Sequence, residues 1–235
     1  MHNGKKVVFV SGANRGIGLE FARQLSEVGY VVIGGYRDPE KSQDLLTLSE
    51  TLSDFNVFRG DATYEEDIKR LSQYIRDHFK KLDVVINNAG INLKYESTID
   101  DVDPDDIMEN FRVNIIGPFL VGKYLRPLMS SGNGSKIINI TSQMGSIQMS
   151  NGGSLPYRLS KAALNMLTRN QSLAYRDFGI ITVGLHPGWV RTEMGGPKAP
   201  LDPAETVSMM LGVIENLTPE DSGAFLTYDG RVLPY

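Results

Sequence analysis

Val7-Val8-Phe9-Val10-Ser11-Gly12-Ala13-Asn14-Arg15-Gly16-Ile17-Gly18 reads as a buried strand, a glycine-rich turn and the opening of a helix. Four consecutive apolar residues suit a strand covered on both faces, and a helix-period segment over residues 16–28 follows directly. Glycines at 12, 16 and 18 let the backbone turn tightly and let an anion approach the first N–H groups of the helix, where the dipole favours negative charge. The spacing Gly-x-x-x-Gly-x-Gly differs from Gly-x-Gly-x-x-Gly but shares its mechanics. Glycine-rich turns are common as plain connections; placement between a strand and a helix is what points to a dinucleotide.

Outward from this stretch, apolar β-type runs alternate with helix-period segments. Strands are predicted over 6–11, 31–35, 56–59, 84–87, 136–141, 180–186 and 224–228, and helices over 16–28, 39–52, 64–79, 104–129, 156–178 and 203–215. Prolines 39, 104, 156 and 203 fit a first helical turn, where the missing N–H costs nothing. The alternation predicts an α/β fold, a doubly wound, seven-stranded parallel sheet of Rossmann type flanked by helices, with residues 1–235 as a single domain. Inside 104–129, Gly117-Pro118 removes a backbone hydrogen bond and predicts a bend, with Asn114 just ahead of it.

Bulk properties narrow the function. The chain has 235 residues, 41% of them hydrophobic, a formal net charge of −4 and no cysteine. That charge gives no footprint for nucleic acid or an anionic membrane, and disulfides and thiolate metal sites are excluded. No apolar run approaches the ~18 residues of a membrane span, and the apolar start is too short for a secretory leader. A cytoplasmic protein is expected, with the sequons at Asn133, Asn139, Asn170 and Asn216 as chance matches. His2, His78 and His186 show no ligand spacing, so no metal is expected, and His186 should support the loop after its strand. The acidic run Asp100, Asp101, Asp103, Asp105 and Asp106 precedes a helix and is read as capping.

The cofactor choice should be made at the end of the second strand, in Tyr36-Arg37-Asp38. NAD requires a carboxylate here for the ribose 2′-hydroxyl, whereas NADP requires a cation for the 2′-phosphate. Tyr36 takes the acid position, Arg37 follows, and Arg15 projects from the glycine turn. Two guanidiniums converging on one dianion favour NADP (NADPH) over NAD; the alternative is two solvated arginines with Asp38 on the ribose. Asp61 and Ala62 follow the third strand, where the acid either accepts the adenine amino group or caps the next helix. Asn87-Asn88-Ala89-Gly90 should form a tight turn against the adenine ribose.

The chemistry is predicted further along. Ser142 should emerge at the carboxyl edge of the sheet, where open α/β sheets bind ligands. Tyr157 and Lys161 lie four apart, on one face of a helix. Lys161 should lower the phenol pKa and hold the nicotinamide ribose. Tyr157 could then protonate a carbonyl oxygen hydrogen-bonded by Ser142 while a reduced nicotinamide delivers hydride to carbon. A lone Tyr-x-x-x-Lys carries little weight; the ordered set carries the reading.

On Gly12, Gly16, Gly18, Asp61, Asn87-Asn88-Ala89-Gly90, Asn114, Ser142, Tyr157, Lys161 and Pro187-Gly188, the chain resembles the short-chain dehydrogenase/reductase family over almost its whole length. Met144-Gly145-Ser146-Ile147, residues 186–192 and Tyr228-Asp229-Gly230 resemble its C-factor/sniffer-like carbonyl reductase branch. The resemblance implies catalysis by Ser142, Tyr157 and Lys161, and Asn114 positioning a water that relays protons to Lys161. It also implies a nicotinamide bounded by Pro187, Gly188, Trp189, Val190 and Thr192. Ser11 stands where threonine is more usual and keeps the hydroxyl.

Tyr95, Met144, Met149, Leu155, Trp189 and Met194 should line an apolar, adaptable substrate pocket for hydrophobic ketones or aldehydes, with Gly195-Gly196-Pro197 as hinges. The function expected is an NADPH-dependent carbonyl reductase or alcohol dehydrogenase, in a homodimer paired through 104–129 and 156–178. A dinucleotide-binding signalling or redox-sensing protein of the same fold is the alternative. An epimerase or dehydratase of the extended relatives ranks below both.

Overall fold

The computed structural model describes residues 4–129 and 134–235. Along β1 (Val7–Val10), Val8 and Val10 face one layer of the core and Val7 and Phe9 the other, as the two-residue period of a strand requires. The same division runs through β2 (Val31–Tyr36), β3 (Phe55–Arg59), β4 (Val84–Asn87) and β5 (Lys136–Ile140), while β6 (Ile181–His186) and β7 (Phe225–Thr227) give side chains to the first layer only. All seven pair in parallel in the order β3-β2-β1-β4-β5-β6-β7. One apolar layer joins the sheet to α1 (Gly16–Glu27), α2 (Gln43–Thr51) and α7 (Pro203–Asn216). The other joins it to α3 (Glu65–His78) and α5 (Gly117–Leu125), beside α4 (Pro104–Phe111) and α6 (Leu155–Ala174). Burying each large side chain here contributes roughly 1.5–3 kcal/mol. This is the doubly wound α/β sheet read from the alternation of elements.

Two helices differ from expectation. Over 39–52 the chain first makes a single tight turn, Pro39–Lys41, whose start the Asp38 carboxylate caps by accepting Glu40 N–H (3.0 Å) and whose end Ser42 closes by donating its hydroxyl to the Asp38 carbonyl (2.6 Å), before α2 starts. The segment 104–129 is also not one helix. α4 widens over Arg112–Ile116, where Gly117 N–H reaches the Arg112 carbonyl five residues back, and α5 resumes behind it. Pro118 lacks an N–H and its ring crowds the preceding turn, so the wider turn relieves it. This turn points the buried Asn114 inward. The acidic run caps as expected: Thr98 with Asp101, and Asp103 with Asp106, each exchange reciprocal hydrogen bonds.

α6 meets the sheet through polar groups. Asn139 on β5 accepts from Asn87 (2.8 Å) and donates to Thr168 (2.9 Å) and Gln171 (3.0 Å), and Gln171 reaches the Pro118 carbonyl on α5 (3.4 Å). Gly122 makes room, since a Cβ there would lie 2.4 Å from the Gln171 amide. The sequon at Asn139 is therefore sealed in the core. Asn170 and Asn216 donate to their own helices, and Asn133, like His2, lies outside the described residues.

Asn139→Ala should leave the Asn87 amide nitrogen and the Gln171 amide oxygen without their partner, Thr168 keeping its bond to the Leu164 carbonyl, and cost about 2–4 kcal/mol, read from the urea midpoint of unfolding. A midpoint within error of wild type would refute this role for the network.

Candidate active site

The chain turns back at β4 to the opposite side of β1, so the carboxyl ends of β1 and β4 open a crevice. Ser11 binds the two turns there: its hydroxyl accepts the N–H groups of Asn88 and Ala89, both at 3.1 Å. The Asn88 amide donates back to the carbonyls of Ser11 (3.2 Å) and Gly12 (2.9 Å). Gly12 has φ +62° and a Cβ would lie 2.9 Å from Ala89 Cα; at Gly18 a Cβ would sit 2.1 Å from the Gly12 carbonyl oxygen. Asn14 pins the turn to the Lys41 carbonyl (2.9 Å), and Ile17 packs on the core. The N-terminus of α1 has no side-chain cap and no acid in its first turn, whereas α3, α4 and α7 all carry acids there. That donor set fits a pyrophosphate.

At the nucleotide rim each of the two predicted guanidiniums has a carboxylate partner. Arg15 pairs with Glu193 on the β6–α7 loop, and Arg37 with Asp61 (3.1 Å). Burial alone would raise Asp61, but hydrogen bonds from Thr63 and Arg37 outweigh it and hold the acid below its ordinary value. Its Oδ1 accepts both the N–H (2.9 Å) and hydroxyl (2.8 Å) of Thr63, so it closes a turn ahead of α3 rather than capping the helix itself. Ala62 packs beside Gly117. Asp38 is engaged by Glu40 N–H, which leaves Tyr36 and Arg37 as the groups offered at the end of β2. Arg37, Arg59, Asp61, Tyr64 and Arg70 line a groove of about 660 Å³ beside this rim.

Ser142, Tyr157, Lys161 and Asn114 come together at the carboxyl end of β5. Gly145 lets the short turn Gln143–Gly145 lie on α6, since a Cβ would stand 2.7 Å from the Lys161 carbonyl carbon. The Ser142 hydroxyl, which accepts Met144 N–H (3.1 Å), then lies beside the Tyr157 phenol. Lys161 Nζ donates to the Ile140 carbonyl (2.8 Å) and lies 5.5 Å from the Tyr157 ring centre. The Asn114 amide oxygen accepts Ile91 N–H (2.9 Å), and its nitrogen donates to the Ile91 carbonyl (2.9 Å) and Ser160 Oγ (2.8 Å). Gly90 completes the pocket: a Cβ there would lie 3.2 Å from Asn114 Oδ1 and 3.6 Å from Lys161 Nζ.

The expected depression of the phenol pKa is corrected by this geometry. Burial pushes Tyr157 up to about 12, against a smaller lowering by Ser142. The same burial drives Lys161 down to about 7. A site this dry disfavours the charged form of both groups.

The β6–α7 loop closes over the glycine turn. Pro187 and Val190 are buried, Gly188 adopts φ +81°, and Thr192 Cγ2 lies 3.3 Å from where a Gly16 Cβ would be. The expected hinge at 195–197 is instead a tight turn: Gly195 N–H binds Thr192 Oγ1 (3.2 Å), and a Gly195 Cβ would strike the Val190 carbonyl. Trp189 Nε1 donates to the Gly195 carbonyl (2.7 Å). Of the six proposed pocket residues, Tyr95, Met149, Trp189 and Met194 are exposed while Met144 and Leu155 are half-buried. Sequence reasoning missed Ser160, Glu193 and Arg158; only Ser160, three residues after Tyr157 on the same helix face, carried a periodicity that could have found it.

The model of the family described as short chain dehydrogenase matches residues 6–201. The chain belongs to that family. It is thus an oxidoreductase, and solved relatives share its fold closely. An NADPH-bound carbonyl reductase from chicken fatty liver is 38% identical with a TM-score of 0.92, covering 98% of this chain and 99% of that one. Carbonyl reductase Sniffer of D. melanogaster is 30% identical with a TM-score of 0.91, covering 98% and 99%. C-signal of Myxococcus xanthus is 43% identical over 155 residues, 66% of this chain and 93% of that protein.

His186 Nδ1 accepts Gly188 N–H (3.3 Å), and burial pushes its pKa from 6.5 down to about 4. The unfolded chain therefore binds a proton that the folded one resists. Stability should fall by roughly 1–3 kcal/mol as pH drops from about 6.5 to about 4. His186→Asn, which keeps an acceptor, should flatten that slope in denaturation curves taken across this range; an unchanged slope would locate it elsewhere.

Proposed function

We propose that this protein is an NADPH-dependent carbonyl reductase, equally an alcohol dehydrogenase in reverse, acting on hydrophobic ketones or aldehydes as a single cytoplasmic domain over residues 1–235. The observation that carries the reading is the buried Ser142–Tyr157–Lys161 set at the carboxyl edge, beside a glycine turn whose free N–H groups fit a pyrophosphate. The likeness to an NADPH-bound carbonyl reductase supports the same cofactor here.

When bound, the reduced nicotinamide supplies hydride to the carbonyl carbon. The residues of the chain manage the proton. Ser142 holds the substrate oxygen, and Tyr157, with a pKa of about 12, is fully protonated at neutral pH and ready to donate. The phenolate left behind is stabilised by protonated Lys161, which returns the proton; at a pKa of about 7 the amine can both lose and regain it. Its bond to Ile140 uses one of three ammonium donors, leaving two for the ribose and solvent. Asn114, tied to Ile91 and Ser160, holds the turn after β4 against α6 and so fixes the floor of this proton path. Gly12, Asn14, Arg15, Gly16, Ile17 and Gly18 hold the pyrophosphate. Tyr36 and Arg37 would hold the 2′-phosphate, Asp61 and Ala62 the adenine, and Asn88, Ala89 and Gly90 the adenine ribose. Pro187, Gly188, Val190 and Thr192 border the nicotinamide.

Exposed Met108, Ile116 and Phe119 on the α4–α5 side and Leu159, Met166 and Leu173 on α6 support a homodimer through these helices. The likeness to C-signal favours one second reading, a dinucleotide-binding signalling protein of the same fold.

Tyr157→Phe should lower kcat for NADPH-dependent carbonyl reduction by about 10²–10⁴-fold with NADPH binding retained; turnover near wild type would end the mechanism. Arg37→Ala should weaken NADPH binding at least about tenfold and NADH binding far less, read as dissociation constants by cofactor fluorescence. Equal losses for both nucleotides would remove the NADP assignment.

A further inference from the structure

Arg158 follows Tyr157 in α6, is half-buried, and forms no ion pair among the described residues. Its guanidinium instead gathers neutral acceptors. Nε donates to the carbonyls of Gly152 and Gly153, both at 2.9 Å, Nη1 to the Met144 carbonyl (3.4 Å), and Nη2 to the side-chain oxygen of Asn151. These acceptors lie at both ends of the segment between Ser142 and α6, so one side chain ties the segment to the catalytic helix at two points. The bound backbone is unusual. Gly152 and Gly153 have φ of +82° and +72°, and Ser154, which carries a side chain, has φ +49°. Across the mouth of the site, Lys94 and Glu96 are also left-handed, and Glu96 N–H donates to the buried Ser154 hydroxyl (2.9 Å). Two strained loops thus meet at Ser154, and the Arg158 fork holds one of them in place. A planar guanidinium can serve several acceptors at once, which a lysine ammonium on its flexible stem cannot reproduce.

We propose that Arg158 is a positioning and specificity-determining residue: by clamping residues 144 and 151–153 it fixes the Met144–Leu155 wall against the Tyr157 hydroxyl, and so sets which carbonyl substrates are accepted. The inference rests on the carbonyl reductase reading of the site. A wall held at a fixed distance discriminates by size and shape, whereas a loosened wall admits more substrates and orients each less well.

The test compares wild type, Arg158→Ala and Arg158→Lys on a bulky aryl ketone and a small aliphatic aldehyde, with NADPH dissociation constants and hydrogen exchange of peptides spanning 144–154. Both variants should raise KM for the aryl ketone at least about tenfold while kcat changes less than about threefold. NADPH affinity should stay within about twofold, and exchange over 144–154 should accelerate. Added guanidinium ion should restore part of the lost KM in Arg158→Ala. Unaltered exchange overturns the clamp, and so does an equal loss of kcat/KM on both carbonyls accompanied by a matching loss of NADPH affinity. Wild-type protein that reduces neither carbonyl defeats the underlying reading and the specificity role with it, whereas the exchange data then still judge the clamp alone.

Discussion

Lys161 keeps an amine out of water, and the hydrogen bond from its Nζ to the Ile140 carbonyl is what makes that burial tolerable. Much of the surrounding architecture follows from it. The bond requires α6 to dock at the end of β5, which requires Gly145 at the closest approach and polar side chains along the inner face of the helix. Once α6 is seated, Tyr157 stands one turn away beside Ser142. Desolvation then acts on both partners in the same sense, toward neutrality, so that a proton leaving the phenol creates a charge pair where field strength is greatest. Such an arrangement favours charge separated during reaction over charge stored beforehand.

The crevice is held open by hydrogen bonds rather than by bulk. One hydroxyl, Ser11, satisfies two N–H groups of the turn after β4, and one amide, Asn88, satisfies two carbonyls of the glycine turn. Backbones this close leave room for nothing larger than hydrogen at Gly18. The wide turn at Arg112–Ile116 joins the same structure through Asn114, which binds both backbone groups of Ile91 and the Ser160 hydroxyl. These bonds fix the floor of the crevice, while Tyr95, Met149, Trp189 and Met194 are exposed to solvent.

At the nucleotide end, charge is balanced locally. Arg15 and Arg37 each have a carboxylate partner on a different element, and all but Asp61 of those four side chains are largely exposed. Exposed pairs of this kind are worth at most about 1 kcal/mol each. They can hold the guanidiniums near the rim without preventing exchange for a phosphate.

Periodicity and punctuation in the chain determined the number, order and type of the sheet elements, because strand and helix patterns are local and the parallel crossover rule leaves few topologies. They also determined the glycine turn and the Tyr157–Lys161 spacing, since both are set by short-range geometry. The break of 104–129 was announced by Pro118, yet its form as a widened turn depends on neighbours that the sequence does not order. Only the tertiary structure decided the protonation preferences of Tyr157 and Lys161, because desolvation is a property of everything packed around a group. It alone decided the partners of Arg15, Arg37 and Arg158 as well. Long polar side chains choose acceptors by what folding brings within about 3 Å, and here those acceptors arrive from loops as distant in sequence as Glu193 and as near as Gly152.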